Sequence, residues 1–284
     1  MEANQGEKIL RYQDLYKSYS RLDLTNDYDR PMAIDGLQDR LLGTLKTLGG
    51  FGVFDEGVKK KGLLRRSLLW HRAESETKTM KRIKFPAARH AISIVPSWSW
   101  MAYSGAIEYI TPVFGSVDWE DLESPWYGGV AHPPASSNGV LTVKGALQST
   151  GTRSATNYQV QTDGQRGKIA LVGEAREYNP FQDTRHDSDK TIKPNAEGVE
   201  PEMMIVFDTP PATSQSDPQK NTLCVVLGKQ KGGLNREQRR YYVILVRPQS
   251  ERYMGQKLYD RVGAGYLPGR NIFWDRPSLR VTIH

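Results

Sequence analysis

Pro96-Ser97-Trp98-Ser99-Trp100-Met101-Ala102-Tyr103-Ser104-Gly105-Ala106-Ile107-Glu108-Tyr109 divides the chain into two compositions. Before it, apolar residues recur at helical spacing among many lysines and arginines. After it, short apolar runs alternate with turn residues, the pattern of strands. A Ser-Trp-Ser-Trp strand would place Trp98 and Trp100 on one face and Ser97 and Ser99 on the other. Two same-face indoles read as core anchors at a seam between helices and sheet, each needing a buried acceptor for its N–H. The alternative is a stacking platform for a ring-shaped ligand such as a sugar or a base.

Upstream of this seam, Ile9, Tyr12, Leu15, Tyr16 and Tyr19 fall on one face of a helix predicted over 8–20. Capping residues and Pro31 open a second helix, carried by Ile34, Leu37, Leu41, Leu45 and Leu48 and stopped by Gly49-Gly50. Phe51 to Lys61 reads as a turn. Leu63, Leu64, Leu68, Leu69 and Trp70 suggest a short third helix with Arg65 and Arg66 facing outward, and 73–90 lacks periodicity, as an exposed connection would.

Downstream, seven strands are predicted: Val140–Leu147, Lys168–Tyr178, Glu202–Asp208, Thr222–Gly228, Tyr241–Arg247, Tyr259–Tyr266 and Leu279–Ile283. The runs at 203–207, 223–227 and 242–246 are continuously apolar, as strands covered on both faces and central to a sheet would be. The polar linkers 149–167, 179–201 and 209–220 read as surface excursions. The fold class expected is α+β, with N-terminal helices packed on a mainly antiparallel β-sandwich or partly closed β-barrel. A helical region with its basic connection would occupy 1–95 and a strand-rich region 96–284, the two forming one integrated unit.

Composition narrows the class. With 284 residues, 38% of them hydrophobic, the chain can bury a core, yet no run approaches the roughly 18 apolar residues of a membrane helix. The N-terminus, Met-Glu-Ala-Asn-Gln-Gly-Glu-Lys, lacks the apolar block of a secretory signal. Cys224 is the only cysteine, so no internal disulfide forms, and a cytoplasmic location is expected. The formal net charge is +7, and it is concentrated. Eleven Lys or Arg lie between Val58 and His90 against Glu74 and Glu76, so Lys59, Lys60, Lys61, Arg65, Arg66, Lys81, Arg82 and Lys84 read as a solvated basic face or a docking surface for an acidic partner region. Nucleic acid is the alternative occupant. Only Trp70 and Phe85 interleave with these cations, too few for a stacking groove. A second basic group, Lys229, Lys231, Arg236, Arg239 and Arg240, reads as a charged hairpin loop.

The acidic stretch Asp118-Trp119-Glu120-Asp121-Leu122-Glu123, near Trp126, could supply paired carboxylates beside an aromatic wall, as in carbohydrate-active enzymes. Its spacing is that of a solvated loop, which leaves catalysis the lesser reading. His71, His90, His132, His186 and His284 are scattered, and Cys224 lies in an apolar strand as a buried thiol. Neither a metal site nor a cofactor is expected. Gly49-Gly50-Phe51-Gly52 and Gly263-Ala264-Gly265 do not open a helix after a strand, so they read as turns or bulges rather than phosphate loops.

Four stretches then occur in an order of their own: Tyr19-Ser20-Arg21-Leu22-Asp23-Leu24-Thr25; Asp29-Arg30-Pro31-Met32-Ala33-Ile34-Asp35-Gly36-Leu37; Leu68-Leu69-Trp70; and Pro96-Ser97-Trp98-Ser99-Trp100 followed by Gly105-Ala106-Ile107. In these the first 110 residues resemble the region that follows the signature domain of fungal heterokaryon-incompatibility (HET domain) proteins. The resemblance marks Tyr19, Arg21, Leu24, Thr25, Asp29, Ala33, Gly36, Leu68, Leu69, Trp70, Pro96, Trp98, Trp100 and Gly105 as family positions. It covers about a third of the chain. The HET domain itself is expected upstream of the first stretch, where only about eighteen residues stand, so the chain looks like the downstream part of such a protein. The resemblance implies a non-enzymatic role in intracellular self/non-self recognition and its associated cell death, with protein partners that include an upstream HET domain. It transfers no catalytic residue.

Overall fold

The computed structural model describes residues 2–57, 62–73, 80–85, 95–126, 170–179, 202–209, 221–233, 235–253 and 256–284. The predicted strand Val140–Leu147, Lys59, Lys60 and Lys61 lie outside them, as do most of the polar linkers.

Helix α1 (Glu2–Ser20) buries Ile9, Tyr12 and Tyr16 as its spacing predicts, while Leu15 turns to solvent. A 3-10 turn at Asp27–Asp29 leads into α2 (Arg30–Leu45), where Pro31 sits in the first turn and costs no internal hydrogen bond. The second helix ends differently from expectation. Lys46, at φ 52°, supplies the left-handed cap, and Gly49-Gly50 belong to a strand, β1 (Leu48–Gly50), paired with β2 (Val53–Asp55). The two residues between them, Phe51 and Gly52, both have positive φ, which a two-residue hairpin turn of this hand requires.

Helix α3 (Leu63–Leu68) is followed by β3 (Trp70–Arg72), then β4 (Lys81–Arg82), β5 (Tyr103–Ser104) and β6 (Ile107–Tyr109). β3 pairs with β6, and β4 with β5, all antiparallel. Both pairings straddle the compositional seam, so the first and second regions share sheets as well as a core.

The remainder comprises β7 (Val117–Trp119), β8 (Leu171–Arg176), β9 (Met204–Phe207), β10 (Leu223–Gln230), β11 (Arg240–Tyr253), β12 (Gln256–Pro268) and β13 (Leu279–Ile283). Strands β8, β10, β11, β12 and β13 hydrogen-bond in a ring, a partly closed five-stranded barrel. All its pairings are antiparallel except β12 with β13. β7 extends β10, and β9 extends β12. The molecule is thus mixed α+β. The run at 203–207 is not central as expected: it forms the edge strand β9. Gly263 and Gly265 lie within β12 where β9 crosses, and a Cβ on either would overlap the backbone carbonyl of Val206 or Met204.

The apolar runs at 223–227 and 242–246 are covered on both faces, as predicted, whereas in 203–207 only Val206 is buried. In β11, Tyr242, Ile244 and Val246 join the main core shared with the helices, while Tyr241, Val243 and Leu245 join a second core with Tyr178, Cys224, Leu267 and Ile272. Burial pushes the Cys224 thiol up to about 12, which keeps it protonated and inert.

Candidate functional site

The family positions meet at the junction of helices and barrel. Trp98 and Trp100 are fully buried, but not on a strand: Ser97-Trp98 is a turn, and Trp100–Ala102 is one turn of 3-10 helix. Ser99 explains the difference. Its Oγ accepts from the Met101 N–H at 3.0 Å and donates to the Phe51 carbonyl at 2.7 Å, so the serine caps a helical turn instead of continuing a strand. Trp100 packs on Tyr16 and Tyr19 of α1, and Trp98 on Phe51 and Trp126. The acceptors expected for their N–H groups are absent among the described residues. Trp70 does have one, the Trp98 carbonyl at 3.0 Å.

One barrel residue binds this junction together. A bulge opposite Leu245 and Val246 interrupts the β11–β12 register beside Arg261, and such bulges re-aim side chains. Its fully buried guanidinium donates to the carbonyls of Leu68, at 2.7 Å, and Trp70, lies 3.4 Å from the Trp70 ring centroid, and pairs with Asp208 at 3.2 Å. Burial raises the Asp208 carboxyl and lowers the Arg261 guanidinium, and the charge of each opposes the shift in the other. Ser97 Oγ accepts from the Arg261 N–H at 2.8 Å and donates to the His284 carbonyl. Leu68, Trp70 and Ser97 are therefore the socket for an arginine more than 160 residues further along.

The other family positions divide. Tyr19 donates to the Arg30 carbonyl at 3.1 Å, and the buried Arg30 donates to the Ser20 carbonyl at 3.2 Å. Arg21 pairs with Glu108 at 2.5 Å. Pro96 is buried, Leu24 and Asp29 are half-buried, and Gly105 has φ 118°, against Met80. Thr25, Ala33 and Gly36 face solvent.

The expected basic partner surface loses two members. Arg65 and Arg66 do not face outward but are buried, because each finds clustered backbone carbonyls that repay desolvation. Arg65 donates to Glu120 at 3.1 Å and Leu122 at 3.4 Å, while Arg66 donates to Pro112 at 2.7 Å and Val113 at 3.3 Å, 4.2 Å from the Phe114 centroid. Lys81, Arg82 and Lys84 are exposed, Arg82 meeting Asp260 at 3.1 Å. The acidic stretch zips onto barrel cations: Asp118 to Lys231 at 3.8 Å, Glu120 to Lys229 at 2.9 Å and Glu123 to Arg280 at 2.5 Å.

The second basic group is more than a hairpin loop. Gly269 lets the loop before β11 close onto the turn after β12, since a Cβ there would overlap the Arg236 carbonyl. Gly269 N–H donates to Arg239 and Arg270 N–H to Glu237, both at 2.9 Å. Trp274, anchored by its N–H on the Gly269 carbonyl at 2.8 Å, packs 4.9 Å from Tyr241. Together with Glu120, Arg176, Lys229, Arg236 and Arg239 these aromatics line an open cleft of about 470 Å³. Arg176 and Trp274 were invisible as partners of this loop in the sequence, because pairing of β8 with β10 brings the first to it and the turn after β12, closed onto the loop, brings the second.

Set against known proteins, the chain matches no family model, no curated protein and no solved structure. Among the described residues, no helix is long and apolar enough to cross a membrane.

Proposed function

We propose that this chain is the region downstream of the signature domain in a HET-domain-type fungal incompatibility protein, acting without catalysis as a scaffold and recognition body in self/non-self recognition and the associated cell death. The observation that carries the reading is how the family positions divide. Leu68, Leu69, Trp70, Trp98 and Trp100 are consumed by the fold, whereas Ala33 and Gly36 lie on the open face of α2. Glycine inside a helix costs about 1 kcal/mol relative to alanine. At Gly36 nothing lies within 4 Å of where a Cβ would stand, so packing inside the chain does not ask for glycine. Small residues at Ala33 and Gly36 permit close approach of a partner backbone at this point of α2, and the partner proposed is the HET domain.

The test separates stability from binding. Gly36→Ala is expected to raise unfolding stability by about 0.5–1 kcal/mol. Gly36→Arg is expected to leave the fold intact and weaken binding to a HET domain supplied in trans, followed by titration calorimetry. A folded wild-type chain that does not bind the HET domain, or binding indifferent to Gly36→Arg, overturns the proposal.

A further inference from the structure

We propose that the cleft between β8, the loop before β11 and Trp274 binds a small phosphate-bearing molecule. This stands independently of the reading above. Four cations line the cleft against the single carboxylate of Glu120, and Lys229 already holds that carboxylate at 2.9 Å. The Arg176 and Arg236 guanidiniums both lie over the Trp274 ring, 5.0 and 5.5 Å from its centroid, and neither has a carboxylate partner among the described residues. Arg276, next to them, is neutralised by Glu177. Like charges gathered on one indole repel, and an anion between them relieves that repulsion.

The chemistry of that anion follows from where the cations come from. Arg176 ends β8, Lys229 lies in β10, and Arg236 and Arg239 belong to the loop before β11. Donors converging from several elements suit a tetrahedral phosphate, whose terminal oxygens accept from several sides. A planar carboxylate is matched by one guanidinium fork instead. The excess of positive charge favours a dianion. Two features fix the wall: Trp274 is tethered to Gly269, and the Arg176 Nη1 donates to the Arg276 carbonyl at 3.1 Å. A nucleic-acid strand fits less well, since it needs basic surface continuing beyond one cleft, and Arg65 and Arg66 are withdrawn into the core.

The experiment titrates the full chain with inorganic pyrophosphate at moderate salt, using calorimetry and thermal shift. Arms with citrate and with single-stranded oligonucleotides of increasing length run alongside. Saturable pyrophosphate binding is expected, with citrate weaker. Arg236→Gln, on an exposed loop, is expected to lower affinity about tenfold, the size of one charge-assisted hydrogen bond. Arg40→Gln, exposed on α2, should leave it unchanged. Equal loss in both variants, absent pyrophosphate binding by folded protein, citrate binding as tightly, or affinity that climbs with oligonucleotide length would overturn the proposal.

Discussion

Trp98 and Trp100 show how far single residues can be read from sequence. Their burial follows from size and apolarity, but the backbone carrying them does not. Alternation over four residues is too short to outweigh a serine that caps its own turn. Replacing Trp98 with alanine opens a cavity among Phe51 and Trp126, and is expected to cost about 3–5 kcal/mol, read as the shift in denaturant midpoint. An unchanged midpoint would return the indole to a ligand-facing role. Arg65 and Arg66 are the counterexample in charge. Helical spacing treats arginine as a surface residue, and nothing in a one-dimensional pattern reveals that loop carbonyls from 112–122 will surround it. His71 gives a pH signature. It is buried in β3 with Nδ1 2.8 Å from the Arg72 carbonyl, and burial lowers its affinity for a proton below the usual value near 6.5. The unfolded chain therefore takes up more protons, so this contribution to stability is present at neutral pH and lost as pH falls through about 6.5. His71→Gln is expected to flatten the decline in denaturant midpoint between pH 7.5 and 5. An unaltered slope would assign the effect to other groups.

At the scale of elements, strands were more legible than their order. Six of seven predicted strands are present in the described residues because continuous or alternating apolar runs leave little choice of conformation. Position in the sheet was not written in the same residues. β9 has the apolarity of a central strand, yet among the described residues it pairs with β12 alone, where Gly263 and Gly265 let it lie close. The third helix shows a local device the sequence concealed. Glu56 lies upstream of it, and its carboxylate accepts from the N–H groups of Gly62, Leu63 at 2.5 Å and Leu64 at 3.1 Å. One acidic side chain thereby satisfies donors that a six-residue helix would leave open. Recognising it requires knowing that Glu56 stands beside the first residues of the helix in space. The cleft was concealed for a similar reason: most of its charges were visible as one run, while Arg176 reaches it through pairing of β8 with β10 and Trp274 through the turn after β12.

For the whole molecule, the compositional divide at residue 96 is not a mechanical one. β3–β6 and β4–β5 cross it, the main core spans it, and Arg261 plugs into carbonyls on the other side. Helices and barrel are accordingly expected to unfold together. Far-ultraviolet circular dichroism, near-ultraviolet circular dichroism and tryptophan fluorescence should trace one coincident transition. Two separated transitions would show the regions to be independent.

The stitch made by Ser97 reaches forward to Arg261 and to His284 at the same time. During synthesis, the tryptophan-rich segment must therefore leave the ribosome long before either of its partners exists. The barrel ring stays open until β13 emerges to join β8 and β12. The nascent helices carry their aromatic faces unsheltered through that interval, and contacts so distant along the chain form slowly. A chaperone that holds exposed aromatic surface would have its work on this chain concentrated between the emergence of these helices and that of β13.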